Sequence, residues 1–146
     1  MDIKKHILPI IVLSQFAGTS TWFAGNAVLK DITGALNISV DVLPHIVSAV
    51  QLGFISGTLL FSIFTITDRF SPSRIFFVCS ILGALSNLSL IWVCNLMTLL
   101  TSRYITGFFL AGIYPVGMKI AADYHNEGLG KALGYLVGAL VLGTAF

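Results

Sequence analysis

Charge is the scarcest commodity in this sequence. Asp, Glu, Lys and Arg make up only 10% of 146 residues, where soluble domains carry about a quarter. So few charges cannot coat a water-soluble fold, and 56% of the chain is hydrophobic, with a mean hydropathy of +0.94. The formal net charge is only +2, with no basic tract, so no nucleic-acid partner is expected. Cysteine is equally sparse. Cys79 and Cys94 fall in one apolar segment and would lie ~22 Å apart on a helix, too far for a disulfide. There is no HExxH, CxxC or nucleotide-binding glycine loop. The expectation is therefore no enzyme, no metal and no cofactor.

What is present is a series of long apolar runs. Five segments can be drawn, at about 7–29, 43–67, 75–94, 97–122 and 129–146. A helix needs ~20 apolar residues to cross the hydrocarbon of a bilayer. The fold class is all-α integral membrane, with four complete transmembrane helices and a fifth that is expected to be cut short at Phe146. The lipid bilayer is the first partner. The basic start Lys4, Lys5, His6 resembles a signal peptide, but the uncharged run from Ile7 to Leu29 exceeds the roughly 7–15 residues of a signal core. An uncleaved first helix is expected instead. Lys4, Lys5, Arg69, Arg74, Lys119 and Lys131 fall on one side of the membrane and Lys30 on the other. The positive-inside rule then places the N-terminus in the cytoplasm.

Polar residues inside such segments are the candidates for function, because lipid forces them to face one another or a cavity. In the first segment Gln15, Thr19, Trp22 and Asn26 share one helical face. This stripe fits a cavity wall; the alternative is interhelical hydrogen bonding that holds the bundle together. Gln51, Thr58 and Ser62 form a second stripe, opposite a close-packing pair, Gly53 and Gly57. His45 lies near the outer end of the same segment. Arg103 sits ~12 Å into the fourth segment counted from Asn95, with Gly107 and Tyr114 on its face. An arginine at the bilayer centre costs at least ~2.5–3.5 kcal/mol on insertion scales. A cavity arginine that binds an anionic solute or a carboxylate is one reading, and snorkelling to the interface is the other. Pro115, between Gly112 and Gly117, should kink the helix.

Taken together, these stretches resemble the major facilitator superfamily, in particular its first half. "TDRFSPSR" lies between the second and third segments, where that family places G-x-x-x-D-R-x-G-R-[RK]. "RYITGFFLAG" is similar to the family's Arg-x-x-x-Gly stretch in the fourth helix. "GYLVGALVLGTAF" is a looser likeness to the glycine-rich fifth helix of its exporters, and "IYPVGMKIA" is similar to bacterial members. The resemblance implies twelve helices in two six-helix halves built from inverted repeats, so further C-terminal helices would complete the transporter. It implies a secondary transporter in the bacterial inner membrane that moves a small solute by alternating access. Gln15, Trp22, Asn26, Gln51, Arg103 and Tyr114 would face the solute, with Arg103 tied to substrate or to proton coupling. Asp68 and Arg69, and more loosely Arg74, would form a cytoplasmic gate. Gly134, Gly138 and Gly143 would pack the fifth helix against the second half. Phe64 stands where the loop motif has glycine, Ser71 and Pro72 replace its second glycine and a basic residue, and the fifth segment lacks the exporter proline. Two other readings fit the residues: a small multi-pass protein that associates through Gly130, Gly134 and Gly138, or an inactive truncated product.

Overall fold

The computed structural model describes residues 3–124 and 129–144. Among these residues eight α-helices run in order: α1 (Ile3–Ala27), α2 (Leu29–Ala35), α3 (Leu43–Ile63), α4 (Ile66–Arg69), α5 (Pro72–Leu88), α6 (Leu96–Leu110), α7 (Tyr114–Tyr124) and α8 (Leu129–Thr144). No strand occurs among the described residues. Among the described residues three stretches, Leu43–Ile63, Pro72–Trp92 and Leu96–Tyr124, are long and apolar enough to cross a membrane. The expectation of four complete spans counts α1 as well; its 25 residues reach ~37 Å at 1.5 Å each, but it is not among these three.

Local chemistry sets the helix ends. The second apolar run continues to Thr67, yet α3 stops at Ile63 because Thr65 takes the left-handed conformation, φ 47°. That turn redirects the chain into α4. Pro72 opens α5 at a first-turn position, where its missing N–H costs nothing. Asn95 caps α6 through a reciprocal box: its side chain accepts from the Thr98 amide at 2.9 Å, and the Thr98 hydroxyl accepts from the Asn95 amide at 3.3 Å. Pro115 cannot donate to the Ala111 carbonyl, and its ring would crowd that group in a regular helix. The ladder accordingly breaks there. Gly112 and Ile113 donate three residues back, to Phe109 and Leu110, before the α-pattern resumes with Gly117 bonded to Ile113.

Unlike a soluble protein, the bundle has an apolar outside and holds polar groups within its core. Gln15, Thr19, Ser102, Arg103 and Thr106 are buried, while Leu52, Ile63, Phe77, Ile91 and Met97 are exposed. That is the arrangement lipid demands. The closest pairing is α3 against α6. A Cβ at Gly53 would strike the Tyr104 backbone carbonyl, and one at Gly107 would strike the Val50 carbonyl, so these two backbones touch because their contact residues have no side chain. Ser56 and Tyr104 add a hydroxyl–hydroxyl bond of 2.7 Å beside the seam. An apolar cluster of Ile75, Cys79, Leu110, Ile113 and Val116 joins α5 to α6 and α7.

Candidate functional site

Arg103 is the largest fully buried side chain among the described residues. It projects from α6 onto α1. One terminal nitrogen, Nη2, donates to Asn26 Oδ1 at 2.6 Å and to the Trp22 carbonyl at 3.1 Å; Nη1 donates to Asn87 Oδ1 on α5 at 3.4 Å. Gly25 makes this fit possible, since a Cβ there would collide with the guanidinium. Among the described residues no carboxylate pairs with Arg103, and its Nε has no partner. Amide dipoles alone meet the charge, in a place where a bare arginine would be costly.

The α1 stripe places its residues at two levels. Asn26 and the Trp22 carbonyl hold Arg103. Two to three turns away, Gln15 is buried, donates weakly to the Tyr114 carbonyl at 3.5 Å, and leaves its Oε1 unpartnered. That oxygen presses against Gly117, where a Cβ would collide with it. Thr19 closes onto its own helix, donating to the Gln15 carbonyl at 2.8 Å.

Between these levels lies a cavity of about 360 Å³ bounded by α1, α3, the α6–α7 break and α8. Trp22, Phe23, Phe54, Leu110, Tyr114 and Leu140 are among its lining residues, and it presents almost no polar surface. The Phe54 ring meets Trp22 edge-on, with centroids 5.8 Å apart, the preferred geometry for two quadrupoles. Of the sequence-predicted cavity residues, Trp22 and Tyr114 line this space. Gln15 and Arg103 sit behind its wall, Asn26 is half-buried beside Arg103, and Gln51 is exposed on α3.

The loop from α3 to α5 forms a second cluster. Asp68 pairs with Lys119 of α7 at 2.5 Å, and Lys119 also donates to the Thr67 carbonyl at 3.1 Å. Arg69 and Arg74, the other residues of the expected gate loop, are exposed and form no ion pair among the described residues. Gly53 and Gly57 lie at the α3–α6 seam. Gly134 and Gly138 are exposed, and a methyl added at either would meet nothing within 4 Å, while the surroundings of Gly143 lie outside the described residues.

Sequence reasoning passes over Asn87, Phe23, Phe54 and Lys119. Asn87 is detectable by the rule that flags Asn26, a polar side chain within an apolar helix. Serines 86, 89 and 102 belong with it: Ser102 Oγ donates to the Ser86 carbonyl at 2.8 Å and meets Ser89 Oγ at 2.6 Å, tying α5 to α6. Lys119 reads only as a flanking charge, because nothing in the sequence places α7 beside α4.

Neither the curated proteins nor the solved structures yield a match to this chain. The family model of the Major Facilitator Superfamily matches residues 11–146. With a bundle of membrane-crossing helices, a polar interior and a match over nearly its whole length, the chain belongs to the Major Facilitator Superfamily, a family of membrane transporters.

Proposed function

We propose that this chain forms part of a secondary transporter that carries a small solute across the bacterial inner membrane by alternating access, with its N-terminus in the cytoplasm. One observation carries the reading. Arg103 and Gln15 are buried in the middle of an apolar bundle, directly behind an aromatic-walled cavity of ligand size. Pockets of roughly 300–1,000 Å³ are typical of small-molecule sites. Intramembrane ionisable residues mark solute or ion pathways by default.

In this mechanism Trp22 and Tyr114 contact the solute, while Arg103 and Asn26 hold α1 against α6 so that the wall keeps its shape. The break at Pro115 lets α7 pivot against α6. Asp68 and Lys119 latch the cytoplasmic end of α7 to the loop in one of the two rocking states, with Arg69 and Arg74 left free for contacts made in that state. The open face of Gly134 and Gly138 suits close approach by another helix of the same transporter. Helices α1, α3, α5 and α6 contain no Asp or Glu, so we assign proton coupling to no residue of these helices.

Solute counterflow tests the reading. Vesicles holding the complete transporter that contains this chain, preloaded with an unlabelled solute, should transiently accumulate the labelled form when a panel of sugars, organic acids and drugs is screened. A carrier produces that overshoot; a passive pore or an association module does not. Absence of counterflow for every class would sink the proposal.

A further inference from the structure

We infer that the solute is uncharged and aromatic, a lipophilic ring compound rather than a sugar or an organic anion. This rests on the carrier reading above and adds to it the chemistry of the cargo. The first argument is the wall itself. Trp22, Phe23, Phe54 and Tyr114 supply four aromatic side chains, Leu110 and Leu140 supply aliphatic surface, and the polar area is negligible. A polyhydroxylated solute would leave its hydroxyls facing this wall without partners, which penalises binding. An aromatic ring fits instead, because Trp22 and Phe54 already stand edge to face at 5.8 Å and a third ring continues the same packing.

The second argument is where the charge goes. An arginine in the membrane invites an anionic cargo, but Arg103 is 0% exposed. Both its terminal nitrogens are turned into α1 and α5, to Asn26, the Trp22 carbonyl and Asn87. Gly25 is the notch that lets the guanidinium lie against α1 and away from the cavity. An anion in the cavity would have to pull Arg103 out of three hydrogen bonds. A cation would be drawn to the aromatic faces, but the wall offers no carboxylate among its described residues and the guanidinium behind it repels a like charge. Neutral cargo is what remains.

The chain carries its own reporter. It has two tryptophans, Trp22 at the cavity and Trp92, which is 70% exposed and does not line it. In Trp92→Phe, reconstituted in lipid nanodiscs, Trp22 fluorescence is titrated with 4-nitrotoluene and with 4-nitrobenzoate, the same quenching chromophore without and with a negative charge. In Trp22→Phe, quenching of Trp92 measures simple partitioning into lipid. The expected result is saturable quenching of Trp22 by 4-nitrotoluene, at a half-saturation at least tenfold below that of 4-nitrobenzoate, with unsaturated quenching of Trp92. Phe54→Ala should raise the 4-nitrotoluene half-saturation at least threefold. Equal or tighter saturation by the anion, or Trp22 quenching that tracks Trp92, overturns the inference. Counterflow separates the two claims. Saturable neutral binding with no counterflow removes the carrier and keeps the cavity chemistry, whereas counterflow of anions or sugars alone removes the cargo class and keeps the carrier.

Discussion

The bond between Asn26 and Arg103 should be the strongest single tie between α1 and α6, and a double-mutant cycle can weigh it. Its 2.6 Å length belongs to a charge-assisted hydrogen bond, and such bonds contribute about 1.5–3 kcal/mol net. Interhelical hydrogen bonds in membranes average only about 0.6 kcal/mol, but those figures describe mostly neutral pairs. Here the guanidinium is fully buried and has no carboxylate among the described residues to fall back on. Asn87 reaches the same guanidinium at 3.4 Å, well beyond the ~3.0 Å optimum, and should contribute less than about 0.5 kcal/mol. The cycle uses Asn26→Ala, Arg103→Met and the double variant, with Met keeping most of the apolar stem. Unfolding in mixed micelles, followed by circular dichroism, should give a coupling of about 1.5–3 kcal/mol, roughly ten- to 150-fold in the unfolding constant. A parallel cycle with Asn87→Ala should give a coupling several times smaller. Additive effects of Asn26 and Arg103, or an Asn87 coupling as large, would refute the geometry on which the reasoning rests.

Other expectations follow from the same packing. Gly107→Ala should destabilise the bundle by about 1–3 kcal/mol, because its methyl meets the Val50 backbone and outweighs the ~1 kcal/mol gained in helix propensity. Gly34→Ala on α2, where an added methyl meets nothing within 4 Å, should be neutral or up to ~1 kcal/mol stabilising in the same unfolding assay. Pro115→Ala restores a donor to the α6–α7 break, so it should raise stability while slowing counterflow; faster or unchanged turnover would speak against a pivot. Asp68→Asn should scarcely alter unfolding, since the pair is 67% and 36% exposed and such pairs contribute at most about 1 kcal/mol. It should nonetheless slow turnover, and an unchanged rate would reduce the loop to an anchor.

The membrane bundle was legible because lipid leaves a coarse signature: scarce charge, long apolar runs, and polar residues confined to one stripe. The stripe on α1 was readable from spacing alone, and so was the close approach at Gly53 and Gly57. Contacts between distant segments were not. Spacing gives each helix its faces but not which faces meet, so it could not pair Arg103 with Asn26 and Asn87, nor Asp68 with Lys119 instead of its neighbours Arg69 and Arg74. The end of α3 at Ile63 was hidden for a related reason. Phe64, Thr65 and Ile66 continue the apolar run, and only the left-handed backbone at Thr65 stops it. Gln51 is exposed on α3 and does not line the aromatic cavity, a placement that helical spacing alone does not fix.

The most direct measurement is the counterflow rate of Arg103→Met, normalised to the amount of protein inserted in the vesicles. If the buried guanidinium holds the solute wall in place, the rate falls at least tenfold while insertion and helix content match the unmodified protein. Unchanged counterflow would contradict the account, because a cavity that keeps working without its buried arginine does not depend on the Arg103–α1 clamp.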